Sequence, residues 1–356
     1  GFEALVRDAP DFDEAYMGMG LLHLTVASLP SGWRDLLSVL GFGGTAEQGM
    51  QQLERAARQS RYNRELAHMS LAIADILLNQ EVGRATERLG RLYARDPQSL
   101  LFAHLYGFAL YMNRQAEKAE RVLRAATSQG EAYFFIDYLD YYLAETCFVQ
   151  DEFAEAERYY RRYLTRHQGP ALRAMGFFRL GLALEMQGRR AEAVQIYQRI
   201  ETARNFDSDL AAQRWAEERL EAPMSALDRQ LVRGENAFLS GRYAEAERIL
   251  YEVFEAPDAT PENQAQAAFY IGWLNHVQQR YERAYPAYYF AVQNPGDPRA
   301  QWGPWAQLHI GDMYAEQGRT AEAIQAYEAA LAIEPPFDYH QSLEQRARIA
   351  LERLQD

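Results

Sequence analysis

A chain of 356 residues that is 48% hydrophobic and 13% aromatic has ample material for a core, which excludes intrinsic disorder. Its formal net charge of -13, without any run of clustered Arg or Lys, excludes a protein that tracks phosphates along a basic stripe. The single cysteine, Cys147, excludes an intrachain disulfide and a cysteine-based zinc site, and no apolar run reaches the roughly 18 residues of a membrane span.

Taken in chain order, residues 1–10 (Phe2, Leu5, Pro10) read as the tail of a second helix whose partner lies upstream. The segment "EAYMGMGLLHL" predicts a helix with Tyr16, Met19 and Gly20 in phase. "AEQGMQQLERAARQS" predicts its antiparallel partner, with Gly49, Leu53 and Ala56 in phase. A tight turn should join the two, but residues 28–44 intervene. Within them Leu29, Trp33, Leu36, Leu37 and Leu40 fall on one helical face, Pro30 suits a first turn and Gly41 an exit. Such a helix is about 15 Å long. Trp33, Leu36 and Leu37 are its candidate contacts. Three uses remain open: a plug or extra cap over the first repeats, a dock for a partner protein, or a membrane contact. The last is disfavoured because Asp35 offsets Arg34 on a face where membrane helices carry cations.

Beyond this point one pattern recurs at a spacing of 34 residues or close to it. Leu66–Ser99 carries Ala85, Leu89 and Pro97. Leu100–Tyr133 carries Gly107, Ala119, Leu123 and Ala126. Asp137–Pro170 carries Ala144, Ala156 and Tyr160, and Ala174–Asp207 carries Gly181, Gly188, Ala193 and Tyr197. A single helix is expected over 205–222. The pattern resumes at Leu227–Thr260 (Gly234, Gly241, Ala246) and Ala265–Pro298 (Gly272, Ala284, Tyr288, Ala291). It is clearest in "PWAQLHIGDMYAEQGRTAEAIQAYEAALAIEPP", with Gly311, Tyr314, Gly318, Ala323, Tyr327, Ala330 and Pro335. Small residues at Gly311 and Ala323 let two antiparallel helices approach, and Tyr314 and Tyr327 fill the space beside them. Gly318 permits the turn and Pro335 stops the second helix. A final amphipathic helix over 338–354 is suited to cap the array. It shares a leading Phe-Asp with the helix at 205–222, which reads equally as a former cap or as a spacer.

This spacing resembles the tetratricopeptide repeat (TPR), a helix-turn-helix unit. The resemblance implies an all-α, right-handed superhelical solenoid with a C-terminal capping helix. The expected organisation is an N-terminal stack over 1–222 and a C-terminal stack over 223–356. A narrower resemblance covers Ala15 to Ala57: the proline-headed "LL" helix, "GFGG" and "EQGMQQLERA" are similar to the Iml2 and tetratricopeptide-repeat-protein-39 family and to related bacterial proteins. It implies a soluble, non-enzymatic repeat protein, of a kind often associated with proteostasis or lipid handling.

No Gly-rich phosphate loop, His-Glu-x-x-His or nucleophile elbow occurs. The seven histidines are scattered one per region, and the carboxylates fall mostly on polar helix faces. No catalytic residue, metal or cofactor is therefore expected. In the TPR family the first helix of each unit lines the inside of the superhelix. Carried onto this chain, the inner positions are His104, Phe108 and Tyr111; Tyr138, Tyr141 and Tyr142; Phe178; Phe269, Trp273 and His276; and Trp305. Relatives that grip a peptide's C-terminal carboxylate use lysine, arginine and asparagine there, and Arg179 alone is no such clamp. Aromatic side chains instead suit a peptide or helical segment, although first helices packed on two sides would be aromatic too. The expected function is a protein–protein interaction scaffold or adaptor. The alternatives are a small-ligand or lipid-binding solenoid, or a repeat extension of an enzyme or assembly whose active part lies elsewhere. Neither nucleic acid nor a membrane span is expected, oligomeric state stays open, and a cytoplasmic or periplasmic location fits equally.

Overall fold

The computed structural model describes residues 5, 6, 8–27, 43–79, 81–128, 136–201 and 206–355. Among the described residues the chain forms eighteen α-helices and no strand. It divides into two compact units, Gly1–Asn113 and Arg114–Asp356.

The first unit holds α1 (Glu14–Ala27), α2 (Ala46–Gln59), α3 (Arg64–Ala74), α4 (Val82–Arg95) and α5 (Leu100–Met112), with a π turn, Asp75–Asn79, closing α3. The hairpin that residues 28–44 interrupt does form: α1 packs along α2. Two glycines allow it. A Cβ on Gly20 would lie 2.9 Å from the Gly49 carbonyl oxygen, and one on Gly49 would lie 2.9 Å from that of Gly20. Thr45 and Gln48 restart the chain as a reciprocal capping box on α2, worth about 1 kcal/mol. Of residues 28–44 only 43 and 44 are described, so the expected insertion helix, with Trp33, Leu36 and Leu37, lies outside the described residues. Of the expected tail over 1–10, Leu5, Val6 and Asp8 are helical.

Between α3 and α4 the repeat slips by one residue. A strict 34-residue frame starting at Leu66 puts Ile73 where Gly311 stands in the clearest repeat. Ala72 takes that place instead: with Met69 and Ile76 it packs on Ala85, Leu89 and Leu92 of α4. The π turn absorbs the extra residue through its wider i→i+5 winding, and α4 resumes in phase. On its other side α3 packs Ala67, Leu71 and Ala74 against the α1/α2 hairpin.

The second unit begins with α6 (Ala116–Thr127) and continues as hairpins. These are α7/α8 (Ile136–Val149, Phe153–Arg166), α9/α10 (Arg173–Met186, Arg190–Tyr197), α12/α13 (Ala226–Leu239, Tyr243–Phe254), α14/α15 (Pro261–Val277, Tyr281–Gln293) and α16/α17 (Trp302–Glu316, Thr320–Leu331). The expected single helix is α11 (Asp207–Glu221), and the expected cap is α18 (His340–Gln355), packed on α17. In α9/α10, α14/α15 and α16/α17 a glycine on the first helix faces a tyrosine on the second. A Cβ on Gly272 would stand 2.5 Å from the Tyr288 ring, and one on Gly311 would stand 2.6 Å from that of Tyr327. Tyr288 is fully buried and cannot yield. Gly272→Ala is therefore expected to cost about 1–3 kcal/mol through overpacking, read as a lowered urea midpoint. An unchanged midpoint would show that the hairpin can open at no cost.

The boundary expected at 222/223 lies inside this second unit. Several sets of bonds link residues before it to residues after it. Asn236 of α12 donates to the Phe148 carbonyl at 2.9 Å and to Asp151 at 2.8 Å. The two Phe-Asp helices also clasp each other. Asp207 accepts from the backbone N–H groups of Gln341 and Ser342 at 3.2 and 2.6 Å, and from the Ser342 hydroxyl at 2.7 Å. It thus caps α18, a helix start that has unsatisfied N–H donors of its own. In return Asp338, just ahead of α18, accepts from Trp215 Nε1 at 2.8 Å and from the forked guanidinium of Arg214 on α11.

Candidate interaction faces

In the first unit α3 has three faces. Two are spent on packing, as described. The third carries Leu66 and Ile73, spaced i and i+7, and Leu77 follows in the π turn; all three are exposed, Leu77 by 65%. Leu21 on α1 is exposed as well. With the one-residue slip taken into account, they fall on positions that the repeat pattern assigns to the inside. Sequence reasoning missed Leu21, Leu66 and Ile73; for the two on α3, a frame one residue out of phase hid a stripe that helical periodicity alone would reveal. On α5 the expected residues His104, Phe108 and Tyr111 are half-buried. Burial pushes the His104 imidazole down to about 4.

In the second unit the expected residues fall into three ring clusters. On α7 Tyr141 is buried, while Tyr138 and Tyr142 are half-buried. Tyr141 packs edge-on against Tyr142 and Tyr163, with centroids 5.4 and 5.2 Å apart, and Tyr138 meets His167 at 5.2 Å. Phe178 on α9 is buried against Trp215 of α11 at 5.3 Å, and Trp215 in turn meets Tyr339 at 6.0 Å.

The third cluster gathers Phe269, Trp273, His276 and Trp305 around His309. Phe269 and His276 are buried, whereas Trp273 and Trp305 are half-buried. His309 stacks on Tyr288, 5.5 Å centroid to centroid, and lies 5.3 Å from Trp273. Its Nδ1 is 3.0 Å from Asp312 Oδ2, and Asp312 also accepts from Tyr327 at 2.8 Å and from Arg346 at 2.5 Å. Burial pushes His309 down to about 4 despite that carboxylate. Burial also acts to raise Asp312, but the Arg346 guanidinium and the His309 bond outweigh it and hold the carboxyl below its ordinary range. His276 Nε2 lies 3.1 Å from Glu316, which also accepts from Tyr281 at 2.9 Å. Arg114 lies over the rings of Phe238 and Trp273 at 4.6 and 4.9 Å, a cation–π contact.

Ionisable groups inside the second unit are internally engaged. Tyr160 donates to Glu145 at 2.6 Å, and Arg179 lies 3.6 Å from the same carboxylate. Among the described residues one group, Glu120, Cys147 and Glu152, could hold a metal by proximity. Arg124 already sits there, 2.6 Å from Glu120 and 3.9 Å from the Cys147 sulfur. Burial pushes the thiol up to about 12. Among the described residues no helix is long and apolar enough to cross a membrane.

Comparison with known proteins adds the family. Residues 14–203, more than half of the chain, match the family Iml2/Tetratricopeptide repeat protein 39. Residues 304–337 match the tetratricopeptide repeat itself. No curated protein matches. Among solved structures, a tetratricopeptide repeat protein from Parabacteroides merdae is 14% identical, with 81% of this chain and 98% of that one covered and a TM-score of 0.34. The C-terminal part of a TPR repeat-containing protein from Cytophaga hutchinsonii is 15% identical, with 77% and 98% covered and a TM-score of 0.31.

Proposed function

Because this chain belongs to the Iml2/tetratricopeptide repeat protein 39 family, we propose that it is a binding scaffold rather than a catalyst. Its first helices hold a peptide or a helical segment of a partner protein. The observation that carries this reading is a set of large apolar side chains left facing solvent: Leu66 and Ile73 on α3, Leu77 in the π turn that follows it, and Leu21 on α1. In the second unit the half-buried Tyr138, Tyr142, Trp273 and Trp305 offer ring edges to a partner. The buried Tyr141, Phe178, Phe269 and His276 brace them from behind. His104, Phe108 and Tyr111 serve similarly on α5. Such contacts gain their free energy from apolar burial, so binding should depend little on salt.

The test uses exposed positions, so that folding is spared. The double variant Ile73→Glu/Leu77→Glu is expected to keep its far-UV CD spectrum and melting temperature. It should lose at least about 2 kcal/mol of affinity, roughly 30-fold, for the partner captured by the wild-type chain from its host. Undiminished affinity would sink the inner-face reading.

A further inference from the structure

The turn between α2 and α3 is built in an unusual way. Glu14, at the start of α1, reaches across and accepts four hydrogen bonds from it. The donors are the Ser60 hydroxyl at 2.5 Å, the backbone N–H groups of Arg61 and Tyr62 at 2.7 and 2.9 Å, and the Asn63 amide at 2.8 Å. Asn63 N–H bonds the Ser60 hydroxyl at 2.8 Å. A turn held this firmly nevertheless presents a large aromatic side chain to water: Tyr62 is 76% exposed, with the Arg61 guanidinium 5.3 Å above its ring.

Beside it lies a cleft of about 530 Å³ lined by Gln59, Arg61, Tyr62, Arg64, Glu65 and Arg95. Arg95 pairs with Glu65 at 3.1 Å. Among the described residues no ion pair engages Arg61 or Arg64. A chain with a net charge of -13 thus gathers three arginines around one concave surface: Arg61 from the turn, Arg64 from the start of α3 and Arg95 from the end of α4.

We propose that this cleft is a second binding site, distinct from the inner helix faces, and that it takes an acidic peptide segment. Carboxylates pair with the guanidinium forks of Arg61 and Arg64, and an apolar or aromatic residue of the peptide lies on the Tyr62 ring. Arginine forks match planar carboxylates in bidentate fashion. A phosphate is the poorer fit. Phosphate sites draw on backbone N–H groups, and those of residues 61–63 are already spent on Glu14 and Ser60. Glu65 would also repel a doubly charged group.

The experiment measures fluorescence anisotropy of a labelled peptide of alternating Glu and Tyr with the full chain. The matching Lys/Tyr peptide is the control and inorganic pyrophosphate the competitor. The acidic peptide should bind and weaken steeply between about 50 and 300 mM salt, as exposed charges do, while the Lys/Tyr peptide should not bind. Arg61→Ala/Arg64→Ala should lose about tenfold or more in affinity. Tyr62→Ala should lose affinity while keeping the salt dependence. The inner-face variant Ile73→Glu/Leu77→Glu should bind the probe like wild type, so the two proposals fail separately. Absence of binding, equal binding by the double-arginine variant, or displacement by equimolar pyrophosphate would each overturn the proposal.

Discussion

Asp338→Ala is expected to destabilise the second unit by about 3 kcal/mol, the low end of the roughly 3–5 kcal/mol typical when one partner of a buried ion pair is removed. Asp338 is buried, and Arg214 is largely so. Removing the carboxylate strips the guanidinium of its forked partner and leaves the Trp215 indole N–H without its acceptor. Two features hold the loss at the low end. Arg214 keeps Glu218 as an ion pair on its own helix, and Asp297 stays 3.6 Å away. Urea unfolding gives the magnitude, and hydrogen exchange gives the location: amides of α11 and α18 should lose protection together. A loss under about 1 kcal/mol would mean that the clasp is a surface ion pair in energetic terms.

The second large effect is a dependence on pH. An ordinary histidine titrates near 6.5, but burial pushes His309 down to about 4. The folded state therefore prefers the neutral ring. The stability this contributes is complete above pH about 6.5 and is lost as pH falls toward about 4, where His309 must take up a proton. A shift of that size corresponds to about 3 kcal/mol. Asp312 acts in the same sense at lower pH: its carboxyl is held below the ordinary range, so its contribution disappears only in more acidic solution. Urea midpoints at steps from pH 7.5 to 4 should fall in the wild type. In His309→Gln, which keeps a donor for Asp312 but cannot ionise, they should fall less. Parallel curves for the two proteins would remove His309 as the cause.

Much of the architecture was legible because TPR-like packing is local. Gly272 and Tyr288, or Gly311 and Tyr327, stand sixteen residues apart and touch within one hairpin, so their spacing is itself a record of the contact. The single helix and the cap were legible for the same reason: each is an amphipathic stretch behind a Phe-Asp pair. Burial was less legible. Periodicity placed Tyr138, Tyr142, Phe178 and Trp273 on inner positions alike, yet Phe178 is buried against α11 while the other three keep some surface. A repeat phase says which way a side chain points, not what covers it.

The slip at the π turn shows the limit of phase as well. One added residue, taken up by the π turn, moves Ala72 into the place of Ile73 and turns Ile73 outward. No single residue type announces it. The cleft at Tyr62 was invisible for a different reason. Arg95 joins Arg61 and Arg64 only because the end of α4 comes to rest beside the turn between α2 and α3.

The sequence by itself determined the helices, their pairing into hairpins and the repeat that relates them, since these rest on contacts between residues close along the chain. Only the tertiary structure decided that Asp207 caps a helix more than 130 residues away and that Asp338 answers it from the other side. It alone decided which inner side chains stay exposed, and that scattered arginines share one cleft in an acidic protein. Each of these depends on where distant helices come to rest, which neither spacing nor composition encodes.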